Sequence, residues 1–203
     1  MSSNNGKVFI VDDDDAVRKS LKLLFKTINI DAVAFASGDE FLHEYDADWQ
    51  GCVVLDIRMP GTSGLEVQKI MQDRGNTLPI IFITGHGDVP MAVEAMQRGA
   101  FDFVQKPFRD QELMDRVSQA LAQNQEAQET TLQTRQVRDC YNALTPREKE
   151  VMDCVVKGQA NKVIAMDLEV SQRTVEIHRA RVMEKMQARS LADLVRMAMT
   201  LDQ

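Results

Sequence analysis

Four short segments set groups suited to phosphoryl chemistry directly after apolar runs. Asp12 and Asp13 follow Phe9-Ile10-Val11, Asp56 follows Val53-Val54-Leu55, Thr84 follows Ile81-Phe82-Ile83, and Lys106 follows Phe103-Val104-Gln105. Three carboxylates brought into one crevice repel one another and call for a divalent cation, and an all-oxygen set suits magnesium while leaving positions for water and phosphate. In such a site Asp56 is a nucleophile toward phosphorus that forms an acyl phosphate. The metal and Lys106 offset charge on the transferring group, and the Thr84 hydroxyl donates to a phosphoryl oxygen. Singly, Thr84 is an ordinary strand-end hydroxyl and Lys106 a surface charge, so the functional reading rests on their combination. Asp14 and Asp15 are read as helix-capping or solvated charges, favoured at a helix N-terminus, and His86 as a solvated loop histidine.

The elements that must carry these groups are legible as runs and periods. Continuous apolar runs at Val8–Val11, Val53–Leu55 and Pro79–Ile83, with shorter ones near Ala32–Phe35 and Phe103–Gln105, suit strands buried on both faces. Helical spacing lies between them at Val17, Leu21, Leu24 and Ile28, at Val67, Ile70 and Met71, at Met91, Ala95 and Met96, and at Leu113, Val117 and Leu121. The alternation predicts an α/β, doubly wound, five-stranded parallel sheet over residues 1–122, with chemistry at the carboxyl ends of its strands. Residues 123–140 are read as a linker. No Gly or Pro interrupts 109–145, so a flexible connection and a continuous helix both remain open.

Residues 141–203 carry a different pattern. Thr145-Pro146-Arg147-Glu148 combines an N-cap threonine, proline at the first helical position and glutamate at the third. Helical spacing follows in four segments, which predicts an all-α domain. Asn161–Leu168, a turn at Glu169-Val170-Ser171 and Gln172–Ala188 read as a helix-turn-helix with Ser171 as N-cap. At 100° per residue Val175, Val182 and Met186 share one face, flanked by Arg179 and Met183. Arg173, Ile177, Ala180, Arg181 and Glu184 lie opposite, toward a DNA major groove. An exposed Ile177 between arginines is suited to a thymine methyl group.

Charge agrees with this division. The whole chain has net charge −7, yet residues 1–122 hold 12 Lys/Arg against 19 Asp/Glu while residues 141–203 hold 10 against 9. Arg173, Arg179, Arg181, Lys185 and Arg189 against Glu176 and Glu184 make a modest basic stripe for phosphates. Cys52, Cys140 and Cys154 lack metal-ligand spacing and read as reduced thiols. The opening MSSNNGKVFIVDDDD has too short an apolar run for a signal peptide or membrane span, so a cytoplasmic location and no membrane partner are expected.

Residues 7–122 resemble a response-regulator receiver domain, on Asp12-Asp13, LDIRMPGTSG around Asp56, Thr84-Gly85 and Lys106-Pro107. The resemblance implies Asp56 as phosphoacceptor and Asp13, Asp56 and the Arg58 backbone carbonyl as direct magnesium ligands, with Asp12 holding a metal-bound water. It also implies a cis bond before Pro107 that aims Lys106, and Phe103 as the aromatic switch residue beside Thr84, where many receivers have tyrosine. Residues 144–199 resemble the LuxR-type helix-turn-helix of FixJ/NarL-family regulators, on LTPREKEV, NKVIAMDLEVSQRTVEIHRARVMEKM and SLADLVRMA. This implies base reading by Glu176, Ile177 and Ala180, phosphate contacts from Lys162, Arg173, Thr174, His178 and Arg179, and a dimer interface on the last helix. Related regulators often have lysine where Glu176 and Ala180 stand, which points to different base preferences. His178 is equally suited to packing.

The expected function is a two-component response regulator. A sensor histidine kinase phosphorylates Asp56, the chain dimerises, and the dimer binds double-stranded DNA to activate transcription with RNA polymerase. Two other function classes compete with this one. A magnesium phosphohydrolase with an aspartyl nucleophile usually needs a second aspartate two residues on, where this chain has Arg58. A constitutive DNA-binding protein would not need the acidic constellation.

Overall fold

The structure is a computed structural model that describes residues 6–85 and 89–201; His86 lies outside the described residues. The chain parts into two compact units between Gln128 and Glu129.

The first unit alternates β1 (Lys7–Val11), α1 (Asp15–Thr27), β2 (Ala32–Phe35), α2 (Gly38–Glu44), β3 (Gly51–Asp56), α3 (Gly64–Asp73), β4 (Ile80–Thr84), α4 (Val89–Gln97), β5 (Asp102–Gln105) and the first part of α5 (Asp110–Asn142), a helix that runs on past Gln128. The five strands pair in parallel in the order β2-β1-β3-β4-β5. Alternate side chains divide between the faces. Phe9, Val11, Val53, Leu55, Ile80 and Phe82 meet α2, α3 and α4 residues such as Phe41, Val67, Met71 and Ala95. Val8, Ile10, Cys52, Val54, Ile81, Ile83 and Val104 meet Leu21 and Phe25 of α1 and Leu113, Val117 and Ala120 of α5. With both faces covered, the inner strands β1, β3 and β4 have no polar side to show, which is why they read as unbroken apolar runs.

Helix α2 was not placed from the sequence. It has seven residues, too few to show a period, but its N-terminus carried a legible signal in Ser37 and Glu40. The Ser37 hydroxyl accepts from the Glu40 N–H at 3.1 Å, and Glu40 accepts from the Ala36 N–H at 2.6 Å.

The linker resolves as helix: residues 123–140 lie inside α5. Its two ends belong to different cores. Asn124 is buried, accepts from the Gly51 N–H at 3.0 Å and donates to the Thr77 carbonyl at 3.1 Å. Val137, Cys140 and Tyr141 pack instead against the core of the second unit. Apolar spacing missed these anchors because the first is polar and the others are few.

The second unit adds α6 (Pro146–Val156), α7 (Asn161–Asp167), α8 (Gln172–Lys185) and α9 (Leu191–Leu201) around Val151, Met152, Val155, Ile164, Val175, Val182, Met186 and Leu194. Helix α8 ends three residues before the expected Ala188, with Met186 as C-cap and Gln187 at φ 56°. The Thr145 hydroxyl accepts from the Glu148 N–H at 3.3 Å, and the Glu148 carboxylate accepts from the Thr145 N–H at 2.8 Å and from Lys185 Nζ at 2.7 Å. Glu148 therefore closes the start of α6 and ties it to the last turn of α8.

The Lys185 ammonium and the capping bonds lower the Glu148 pKa from the ordinary 4.5 to about 2. A depressed carboxyl contributes stability above its unfolded pKa, and that contribution is lost as the pH falls through the folded value. Glu148→Gln is expected to destabilise the second unit by roughly 2 kcal/mol at neutral pH. It should also lose less further stability than wild type between pH 4.5 and 2, as read by calorimetric unfolding.

Candidate functional site

The strand order reverses between β1 and β3, and the carboxyl ends of those two strands carry Asp12 and Asp56. Such a reversal opens a crevice because the crossovers on either side lead away from each other. Asp12 is 1% exposed and Asp56 7%. Lys106, reached after β5, extends over β4 to both: Nζ donates to Asp12 Oδ2 at 2.9 Å and to Asp56 Oδ1 at 2.8 Å. The Lys106–Pro107 peptide bond is cis, and the Lys106 N–H donates to the Thr84 carbonyl at 2.7 Å. Thr84 is buried at the end of β4, while Phe103 stands exposed on β5.

The remaining oxygens are held by main chain. Asp12 Oδ1 accepts from the Asp14 N–H at 2.9 Å, and Asp56 Oδ2 from the Arg58 N–H at 2.9 Å. Gly64 opens α3 so close to β3 that a Cβ there would lie 2.3 Å from the Asp56 carbonyl oxygen, so only glycine lets that helix start there. The following loop is fixed by Asp39, whose Oδ1 accepts from the Thr62 hydroxyl at 2.5 Å. Asp39 and Thr62 carry no apolar pattern, and sequence reasoning did not single them out.

Burial pushes the Asp56 carboxyl above its ordinary value, and the Lys106 ammonium opposes the shift. Burial works to lower Lys106, but hydrogen bonds and attraction from Asp56 and Asp12 outweigh it and hold the ammonium charged to higher pH.

The expected cluster of three carboxylates is not assembled. Among the described residues no group of three or more His, Cys, Asp or Glu side chains is arranged to hold a metal. The Lys106 ammonium takes the position between Asp12 and Asp56, and Asp13 is exposed. The donor set nevertheless fits magnesium, since two buried carboxylates share a single compensating charge and Asp13 is the next residue along the loop. Of the neighbouring acids, Asp14 caps α1 by accepting from the Ala16 N–H at 2.8 Å, and Asp15 pairs with Arg18 and Lys19.

In the second unit α7 and α8 form the helix-turn-helix, with Glu169 at φ 55° in the turn. The Ser171 hydroxyl caps α8 by accepting from the Thr174 N–H at 3.0 Å. Val175, Val182 and Met186 are buried, while Arg173, Glu176, Ala180 and Arg181 are exposed and Ile177 is 47% exposed. Lys162 on α7 is exposed as well. Two of the expected phosphate contacts are engaged within the unit. The Thr174 hydroxyl shares a hydrogen bond with that of Ser171 at 2.8 Å, and half-buried Arg179 donates to Asn161 Oδ1 at 2.9 Å. His178 is half-buried, with a buried Nδ1 that has no hydrogen-bond partner among the described residues.

Comparison with known proteins decides the family. Residues 8–118 match the response regulator receiver domain, and residues 142–198 match the bacterial regulatory proteins of the luxR family. The chain is a two-component response regulator with a receiver domain and a LuxR-type DNA-binding domain. Nodulation protein W of Bradyrhizobium diazoefficiens is 46% identical over 200 residues, which cover 98% of this regulator and 88% of that protein. The transcriptional regulatory protein FixJ of the same organism is 41% identical over 197 residues, covering 97% and 96%. Among solved structures, the response regulator StyR is 39% identical and covers 95% of this chain and 98% of its own, with a TM-score of 0.88. Response regulators of this family partner with sensor kinases and regulate transcription, and receiver domains generally bind magnesium at the phosphorylation site. Among the described residues no helix is long and apolar enough to cross a membrane.

The raised carboxyl at Asp56 carries a sign. A group whose folded pKa lies above its unfolded value favours folding at low pH, and that contribution is lost as the pH rises through the folded value. With a chelator present, Asp56→Asn is expected to raise the melting temperature of the receiver unit at pH 7. The gain should shrink as the pH approaches the ordinary aspartate value of 3.8. An equal gain at both pH values would contradict the assigned shift.

Proposed function

We propose that a sensor histidine kinase phosphorylates this regulator on Asp56, and that the phosphorylated chain dimerises and binds a two-fold-related DNA site. Transcription activation with RNA polymerase in the cytoplasm is the outcome. The observation that carries the reading is the Lys106 ammonium held between buried Asp12 and Asp56 at the switch point of the sheet, in a chain whose other unit presents the exposed side of α8.

A carboxylate oxygen of Asp56 attacks phosphorus as the bond from phosphorus to the kinase imidazole nitrogen breaks, and the imidazole leaves with that electron pair. Asp12, Asp13, Asp56 and the Arg58 carbonyl would hold magnesium, which supplies positive charge against the phosphoryl oxygens. Lys106 adds its own charge, the Thr84 hydroxyl donates to a phosphoryl oxygen, and Phe103 follows as the switch residue. The transfer brings about one and a half to two negative charges to the crevice, so the balance set by one lysine must change.

Exposed apolar side chains support dimerisation. Val93 and Met96 lie one turn apart on α4, which neighbours β5, the strand that carries exposed Phe103, and α9 exposes Leu191 and Met199. On α8, Glu176, Ile177 and Ala180 read bases. Lys162, Arg173, Thr174, His178, Arg179 and Arg181 face the backbone, which requires Arg179 to exchange its Asn161 bond for a phosphate.

Two measurements test this. Incubated with magnesium and a small-molecule phosphodonor, wild type should gain one phosphoryl group by mass and bind selected DNA more tightly as a dimer, while Asp56→Asn gains none. Equal DNA affinity in both states would defeat the switch. Ile177→Ala should weaken binding to selected DNA by about fivefold, in keeping with one lost apolar base contact of about 1 kcal/mol, and relax preference at a single position.

A further inference from the structure

Arg18 stands on α1 just beyond the acid-bearing loop, and its guanidinium turns back onto it. Nη1 donates to the main-chain carbonyl of Asp12 at 2.7 Å, and Nη2 donates to Asp15 Oδ1 at 3.2 Å. The side chain is only 16% exposed, although an arginine on a surface helix is free to extend into water. With Arg18 in place, Asp12 is held at every polar atom. Its N–H donates to the Phe35 carbonyl at 3.3 Å, Oδ1 accepts from the Asp14 N–H at 2.9 Å, Oδ2 accepts from Lys106 at 2.9 Å, and its carbonyl accepts from Arg18.

The Asp12 carbonyl and the Asp13 N–H belong to one planar peptide unit. A guanidinium that fixes the carbonyl therefore fixes the plane from which the chain enters Asp13. Asp13 makes no side-chain hydrogen bond or ion pair of its own among the described residues, so its placement depends on the backbone beneath it. We propose that Arg18 is a positioning residue that aims Asp13 at a magnesium ion in the Asp12–Asp56 crevice. This rests on the magnesium reading above.

Positioning and simple charge effects have opposite signs here. If Arg18 were only a nearby positive charge, removing it would relieve repulsion and magnesium would bind more tightly. If it orients a ligand-bearing peptide, removal weakens binding, as loss of outer-shell support does at metal sites, by about tenfold.

The test is calorimetric titration of the full-length protein with magnesium alone. Arg18→Met should bind about tenfold more weakly than wild type, and unchanged or tighter binding overturns the proposal. Arg18→Lys keeps the charge, but its Nζ stops one bond short of the guanidinium Nη atoms and lacks their planar fork, so it loses the Asp12 carbonyl and too should bind more weakly. Wild-type affinity in that variant overturns the proposal even if the methionine variant does not fold. In phosphodonor assays the magnesium concentration for half-maximal rate should rise in parallel, with the rate at saturating magnesium nearly unchanged. Wild type that binds no magnesium, or Asp13→Asn that binds as wild type does, sinks the underlying magnesium reading as well.

Discussion

Asp12 and Asp56 bring like charge into one crevice, and the Lys106 ammonium between them is what makes that arrangement tolerable in a folded chain. Two carboxylates this deeply buried would otherwise protonate or splay apart. Their proximity is enforced by the sheet: β1 and β3 pair in register up to Val11 and Leu55, so the next residue of each arrives at the same level. Lys106 must then come from the far edge. The parallel order that buries β1, β3 and β4 is thus also the order that gathers the charges.

The crevice is underdetermined in charge, and this gives it the character of a switch. One ammonium faces two carboxylates, burial raises Asp56 while Lys106 opposes it, and Asp13 stands exposed beside them. A site with every charge matched would be a structural ion pair. This one is short of one positive charge, and the main chain around it is closely set: Gly64 admits α3 against the Asp56 backbone, and Asp39 holds the loop through Thr62.

The second unit meets a different constraint. Its core is small, and the Glu148 capping box with its bond to Lys185 joins the start of α6 to the end of α8. That connection leaves the opposite side of α8 unoccupied by packing. Ile177 is exposed there because Val175 and Val182 are the residues that the core takes.

Sequence by itself determined the parallel sheet, the residues at its strand ends, the capped start of α6 and the two faces of α8. Each of these is a local consequence of apolar period or of a side chain that caps its own turn. Tertiary structure alone decided that Lys106 rather than Asp13 fills the space between Asp12 and Asp56, that Arg18 holds the Asp12 carbonyl, and that Asn124 anchors α5 to β3 and the Thr77 carbonyl. It also decided that 123–140 is helix, shared between two cores, and that short α2 sits behind a serine cap. These contacts join polar groups far apart in the chain, or side chain to main chain. No periodicity records which of many polar residues will meet, because that depends on where the folded backbone brings a carbonyl or an amide within reach.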